Sequence, residues 1–86
     1  MYPSKSQQLA IEAKLNFMLG TEIYHRLFLG FVCGRLESEI VSVFVQSKDC
    51  AAVIDSEYNW HVARIVESVL KKPIKSVNVL PKTFSD

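Results

Sequence analysis

The chain has 86 residues, 49% of them apolar and 22% charged, with a formal net charge of +1. This length makes one domain with a single small core, and the composition excludes disordered and collagen-like classes. The near-neutral charge leaves no overall field to draw the protein onto nucleic acid or an anionic membrane, so any such binding is local.

Ser4 or Ser6 is predicted to cap a first helix, in which Ile11, Leu15, Met18 and Leu19 recur at helical spacing and build a core face. Gly20 ends it. Thr21 is placed as the cap of a short second helix, with Ile23 and Leu27 as one i,i+4 pair and Tyr24 and Phe28 as another. The period then changes to that of strands, Phe31 to Leu36 and Ile40 to Val45, joined by the polar Glu37, Ser38 and Glu39 in a hairpin. The second run is apolar on both faces and reads as the central strand.

Ser47 is expected to cap a third helix of about 35 Å, with a core stripe through Cys50, Ile54, Tyr58, His61, Val62, Ile65 and Val69. Lys71 and Lys72 are placed in its last turn, and Pro73 stops it. A third strand from Ile74 to Leu80 alternates Val77 and Val79 with Ser76 and Asn78, and Pro81 is expected to end its regular pairing. The expectation is a single α+β domain in the order α-α-β-β-α-β. It has a three-stranded sheet packed by helices, a core from about residue 6 to 80 and a flexible tail from 81 to 86.

Two cysteines, Cys33 and Cys50, are too few for a disulfide framework, and the opening residues Met1 to Lys5 carry no apolar signal core. A cytoplasmic protein with free thiols is expected. The longest apolar run, Leu27 to Cys33, falls far short of the ~20 residues of a membrane-spanning helix.

No catalytic pattern emerges. His25, Cys33, Cys50 and His61 lack the short pair spacings that set two zinc ligands on one turn. Cys50 sits where a helix N-terminus favours a thiolate, yet it is also the first residue of the core stripe. Ser47 is accounted for by capping, and Gly20, Gly30 and Gly34 are too isolated to cradle a phosphate. The expectation is a protein that is not an enzyme and carries no cofactor or metal. Lys71, Lys72, Lys75 and Lys82 form a modest basic cluster, readable as a weak nucleic-acid contact or as a solvated helix end.

The succession of two short helices ending in Thr21-Glu-Ile-Tyr-His-Arg-Leu-Phe28, a hairpin, a long helix with Tyr58, Ile65 and Leu70, and a closing Val77-Asn-Val79 resembles the N-terminal domain of the bacterial replication initiator DnaA. The resemblance covers about residues 6 to 80. Tyr24 and Leu27 stand where that family carries phenylalanine and tryptophan, and Gln46-Ser-Lys48 stands where it carries proline, asparagine and an aromatic. The resemblance implies a KH-like, non-enzymatic protein–protein interaction module of DNA replication initiation. Its implied partners are the replicative helicase or its loader and regulators of initiation, with weak self-association and weak contact with single-stranded DNA.

It also implies docking residues at Glu22 and at Asp49 or Cys50. The family's self-association uses an aromatic of the first helix, where this chain has Gln7, Gln8 and Leu9. The helicase loader DciA has a domain of similar topology. Two alternatives stay beside this reading: a KH-like single-strand binder, whose G-x-x-G clamp is missing here, and a phage or mobile-element mimic of the initiator domain.

One residue stands apart from the periodic pattern. Trp60, the only tryptophan, lies well away from the third helix's core stripe, flanked by Val53 and Arg64. It is either an exposed docking anchor or a residue covered by the first helix or by Phe84.

Overall fold

The computed structural model describes residues 1–82. Helix α1 spans Lys5–Leu19 and begins in a capping box: the Ser4 hydroxyl accepts from the Gln7 N–H while the Gln7 side chain accepts from the Ser4 N–H. Gly20, at φ 94°, ends α1 and starts the short α2, Thr21–Ile23. The cap of α2 is therefore Gly20 rather than Thr21, whose hydroxyl is engaged with Asn16 Oδ1 at 3.2 Å. A π turn, Tyr24–Phe28, continues α2.

Strands β1, Val32–Glu37, and β2, Ile40–Val45, follow as an antiparallel hairpin. Glu37 pairs with Ile40, so the turn is the two residues Ser38 and Glu39, at φ 53° and 66°, rather than three. Positive φ at both positions is the geometry that follows the twist of a hairpin, and it normally calls for Asn or Gly. Near Gly34 the β1 register shifts between Cys33 and Leu36. A Cβ on Gly34 would come within 2.9 Å of the Phe44 ring, so glycine is needed for this bulge. The bulge lets Cys33 and Leu36, three residues apart, both face the core.

A bent helical segment comes next: α3, Lys48–Val53, a second π turn, Ile54–Tyr58, and α4, Asn59–Leu70. Strand β3, Ser76–Pro81, then runs parallel to β2. The sheet order is β1-β2-β3, which puts β2 in the centre as its two-sided apolar pattern predicts. The α+β class and the helix-helix-strand-strand-helix-strand order are those expected.

The core lies between the helices and one face of the sheet. Val41, Val43 and Val45 are fully buried under Ile11, Leu15, Phe28, Ile54, Val62 and Val66. Ile40, Ser42 and Phe44 point the other way, to the more exposed face of the sheet.

A straight helix from Lys48 to Leu70 would run about 35 Å, longer than the 31 Å maximum dimension of the molecule. The π turn and Tyr58, at φ −125° and ψ 5°, supply the bend. A π turn inserts one residue into the helical count, and the core stripe slips accordingly. His61, expected inside, is exposed, while Ala63, Val66 and Leu70 take core positions. Cys50 is only half-buried.

The helix ends at Leu70, with Lys71 as a left-handed cap whose N–H bonds to Glu67. Lys71 and Lys72 thus lie beyond the last turn rather than within it. Pro81 is the last residue of β3, opposite Val45. Lys82 N–H donates to Val45 C=O, so by alternation the missing Pro81 N–H falls on the outer edge and breaks no ladder bond. Pro81 and Lys82, assigned to the tail by the sequence, are thus joined to the sheet, and the rest of that expected tail, residues 83–86, lies outside the described residues.

Candidate functional site

The π turn decides where Trp60 points. Placed on the first turn of α4, Trp60 is 67% exposed and turned away from Val62 and Val66 below it. Four residues on, the Arg64 guanidinium carbon sits 4.6 Å from the centre of the indole ring, a cation–π stack. Arg64 is itself fixed by Glu67 at 2.8 Å and by donation to the Ile74 carbonyl at 2.8 Å. The tryptophan is therefore held over a side chain that has little freedom of its own.

On the other side of the ring, α1 runs past α4. Met18, Leu19, Trp60, His61, Arg64 and Ile65 line a groove of about 250 Å³. Met18 is 65% exposed. Lys14 donates to Ser68 at 2.9 Å further along and ties the two helices together. The groove is thus a mostly apolar trough with Arg64 and His61 on its rim and a rigid aromatic wall.

The other sequence-predicted residues fall in different places. Asp49 is exposed and Cys50 half-buried in the first turn of α3, where the Ser47 hydroxyl caps the Cys50 N–H. Cys50 Sγ lies 3.6 Å from the Arg26 carbonyl, which puts this pair against the first π turn. Val53 packs half-buried on the core, so it does not share an exposed flank with Trp60; the residue inserted by the π turn separates them. Glu22 is exposed in the first turn of α2.

An aromatic row joins these regions. Tyr24 stacks on Phe28 at 6.4 Å, Phe28 meets Tyr58 edge-on at 6.1 Å, and Tyr58 lies 5.7 Å from His61 on the groove rim. The row bridges the two π turns. Burial, with a smaller contribution from Glu12, holds the Tyr24 hydroxyl pKa above its ordinary value.

Lys71, Lys72 and Lys75 are all exposed at the α4–β3 connection, about 15 Å along the helix from Trp60. Lys72 faces a cleft with Met1, Leu36, Ser38, Glu39 and Pro73. The basic cluster and the groove are separate surfaces.

Sequence reasoning missed Met18, Leu19, His61 and Ile65 as groove residues because all four carry core-type spacing. The one available signal was the adjacency of Phe17, Met18 and Leu19. Three large apolar residues in succession, Phe17 to Leu19, span too much of a helix's circumference to face one core, and Phe17 is 86% exposed. Phe84, considered as a cover for Trp60, lies outside the described residues.

Among the described residues no group of three His, Cys, Asp or Glu side chains could hold a metal ion. No helix there is long and apolar enough to cross a membrane. Burial pushes the Cys33 thiol up to about 11, which makes it a poor nucleophile at neutral pH. No protein-family model matches this chain, and no curated protein matches it significantly.

Proposed function

We propose that this domain is a non-enzymatic docking module of the DNA replication initiation machinery, acting in the cytoplasm. The observation that carries the docking role is the Trp60 groove. An exposed tryptophan clamped by a fixed arginine beside an apolar trough is the composition of an interface hot spot. A volume of about 250 Å³ suits one large apolar side chain of a partner rather than a cofactor. The replication assignment is supported by the resemblance of Thr21 to Phe28 and Val77 to Val79 to the DnaA N-terminal domain, together with the element order. The free thiols fit a reducing compartment.

In this reading the partner is the replicative helicase, its loader or a regulator of initiation. It inserts an apolar side chain between Met18 and Trp60. Glu22, Asp49 and Cys50 flank the first π turn and form a second contact region.

Pull-down with the wild-type domain and with Trp60→Ala tests this. The variant is expected to keep its fold, because Trp60 is exposed, and to lose about 2 kcal/mol of partner affinity. Failure of helicase, loader and regulators to enrich over a surface-scrambled control would sink the replication assignment. Binding of labelled single strands that falls with salt and with Lys71→Ala and Lys72→Ala, but not with Trp60→Ala, would move the function to nucleic acid.

A further inference from the structure

The hydrogen-bonding edge of β3 carries an inference independent of the groove. In the parallel pair, Lys82 N–H donates to the Val45 carbonyl of β2 at 2.7 Å, which puts the even-numbered residues of β3 on the β2 side; ahead of the strand, Lys75 and Ser76 share the Glu39 carbonyl of the hairpin turn at 2.7 and 3.4 Å. By alternation, the N–H and C=O groups of Val77, Val79 and Pro81 face outward. One of these acceptors is occupied: Asn59 Nδ2 donates to the Val77 carbonyl at 2.9 Å. Pro81 has no N–H. Among the described residues, the edge is left with two donors, Val77 N–H and Val79 N–H, and two acceptors, Val79 C=O and Pro81 C=O.

That pattern is self-complementary about Val79. Placed antiparallel to a second copy of itself with Val79 opposite Val79, the edge lets each Val79 N–H bond the other copy's Val79 C=O. Each Val77 N–H meets the other copy's Pro81 C=O. The remaining position would face the Val77 carbonyl with the absent Pro81 N–H, and that carbonyl is the one Asn59 already satisfies. Every open group finds a partner and none is left over. An arbitrary extended peptide would supply an N–H opposite the Val77 carbonyl, where Asn59 is already seated.

We propose that a second copy of this chain pairs along β3, joining two three-stranded sheets into one continuous six-stranded sheet through a two-fold axis at Val79. Pairing is through a short edge and is therefore weak, which suits an association that depends on local concentration.

The test is amide hydrogen exchange by NMR across roughly 20 μM to 1 mM protein, with molecular mass by sedimentation equilibrium in parallel. Exchange at Val77 and Val79 is expected to slow at least about tenfold at the high end as the dimer forms, while Asn78, already bonded within the sheet, does not change. Asn78→Lys, on the exposed face next to the axis, sets like charges across it. It should weaken dimerisation at least about tenfold while the thermal unfolding curve stays the same. Three outcomes overturn the proposal. One is mass and Val79 exchange that do not change with concentration. Another is a dimer that tolerates Asn78→Lys but is lost in Phe17→Asp, which would place the contact on α1. The third is protection of Val79 only when a foreign extended peptide is added.

Discussion

At the β1 edge the outward backbone groups are met by other parts of the chain, whereas at the β3 edge most of them stay open. The Gln8 side-chain amide accepts from Cys33 N–H at 2.8 Å and donates to the Phe31 carbonyl at 2.9 Å, so it acts as a missing strand residue would. Further along, Leu36 exchanges hydrogen bonds with Met1 through both its N–H and its C=O. Glu12 holds the Gln8 amide in place. Against this, β3 has, among the described residues, a single side chain, Asn59, bonded to its edge. Edge strands invite pairing with other chains unless they are blocked. Blocking one edge and leaving the other directs any pairing to β3.

The largest effect on this difference should come from Gln8→Leu. It leaves Cys33 N–H and Phe31 C=O without partners in a partly buried setting, and a loss of about 3 kcal/mol is expected in urea denaturation. A loss under about 1 kcal/mol would mean that water replaces the amide and the β1 edge is less closed than its geometry implies.

Next in size is an alkaline effect at Cys33, beneath the closed edge. Burial raises the folded thiol to about 11 from its ordinary 9.0. Above pH 9 the unfolded chain gives up this proton and the folded one keeps it, so stability falls as pH rises from 9 toward 11, by up to about 2 kcal/mol. Below pH 9 this residue contributes no slope. Cys33→Ala should remove this part of the pH dependence.

A smaller change follows from Asn59→Ala, which leaves the Val77 carbonyl on the outer edge of β3 without its partner, at about 1 kcal/mol in thermal or urea unfolding. Smallest is Glu39→Gly, which relieves a positive φ at the hairpin tip and should add about 0.5 kcal/mol without altering either edge. If Glu39→Gly changes edge exchange as much as Gln8→Leu does, the tip and not the side-chain amide is what controls β1.

The order of elements could be read from the sequence because its punctuation is local. Ser4 and Ser47 cap, Gly20 and Pro73 stop, and the alternation in β2 needs no knowledge of neighbours. That Trp60 lies off the core stripe could be read for the same reason, but not whether another element covers it. The π turn could not: Tyr58 at its end meets Phe28 only across the fold, and nothing in Ile54 to Tyr58 announces it. The same holds for Gln8, an ordinary polar helix residue until β1 arrives beside it. The two-residue turn was missed because Ser38 and Glu39 are poor choices for positive φ, and the groove because Met18 carries core spacing.

The π turn at Ile54–Tyr58 also makes the Trp60 groove a matter of counting rather than of chemistry. Asp55, Ser56 and Glu57 are exposed, yet deleting any one of them would rewind the turn to ordinary helix. The half of the segment that follows would rotate by about 100° relative to the half before it. Trp60 would then leave the mouth of the trough while every lining residue remained present. A relative that lacked this single insertion could keep the same residues and lose the groove.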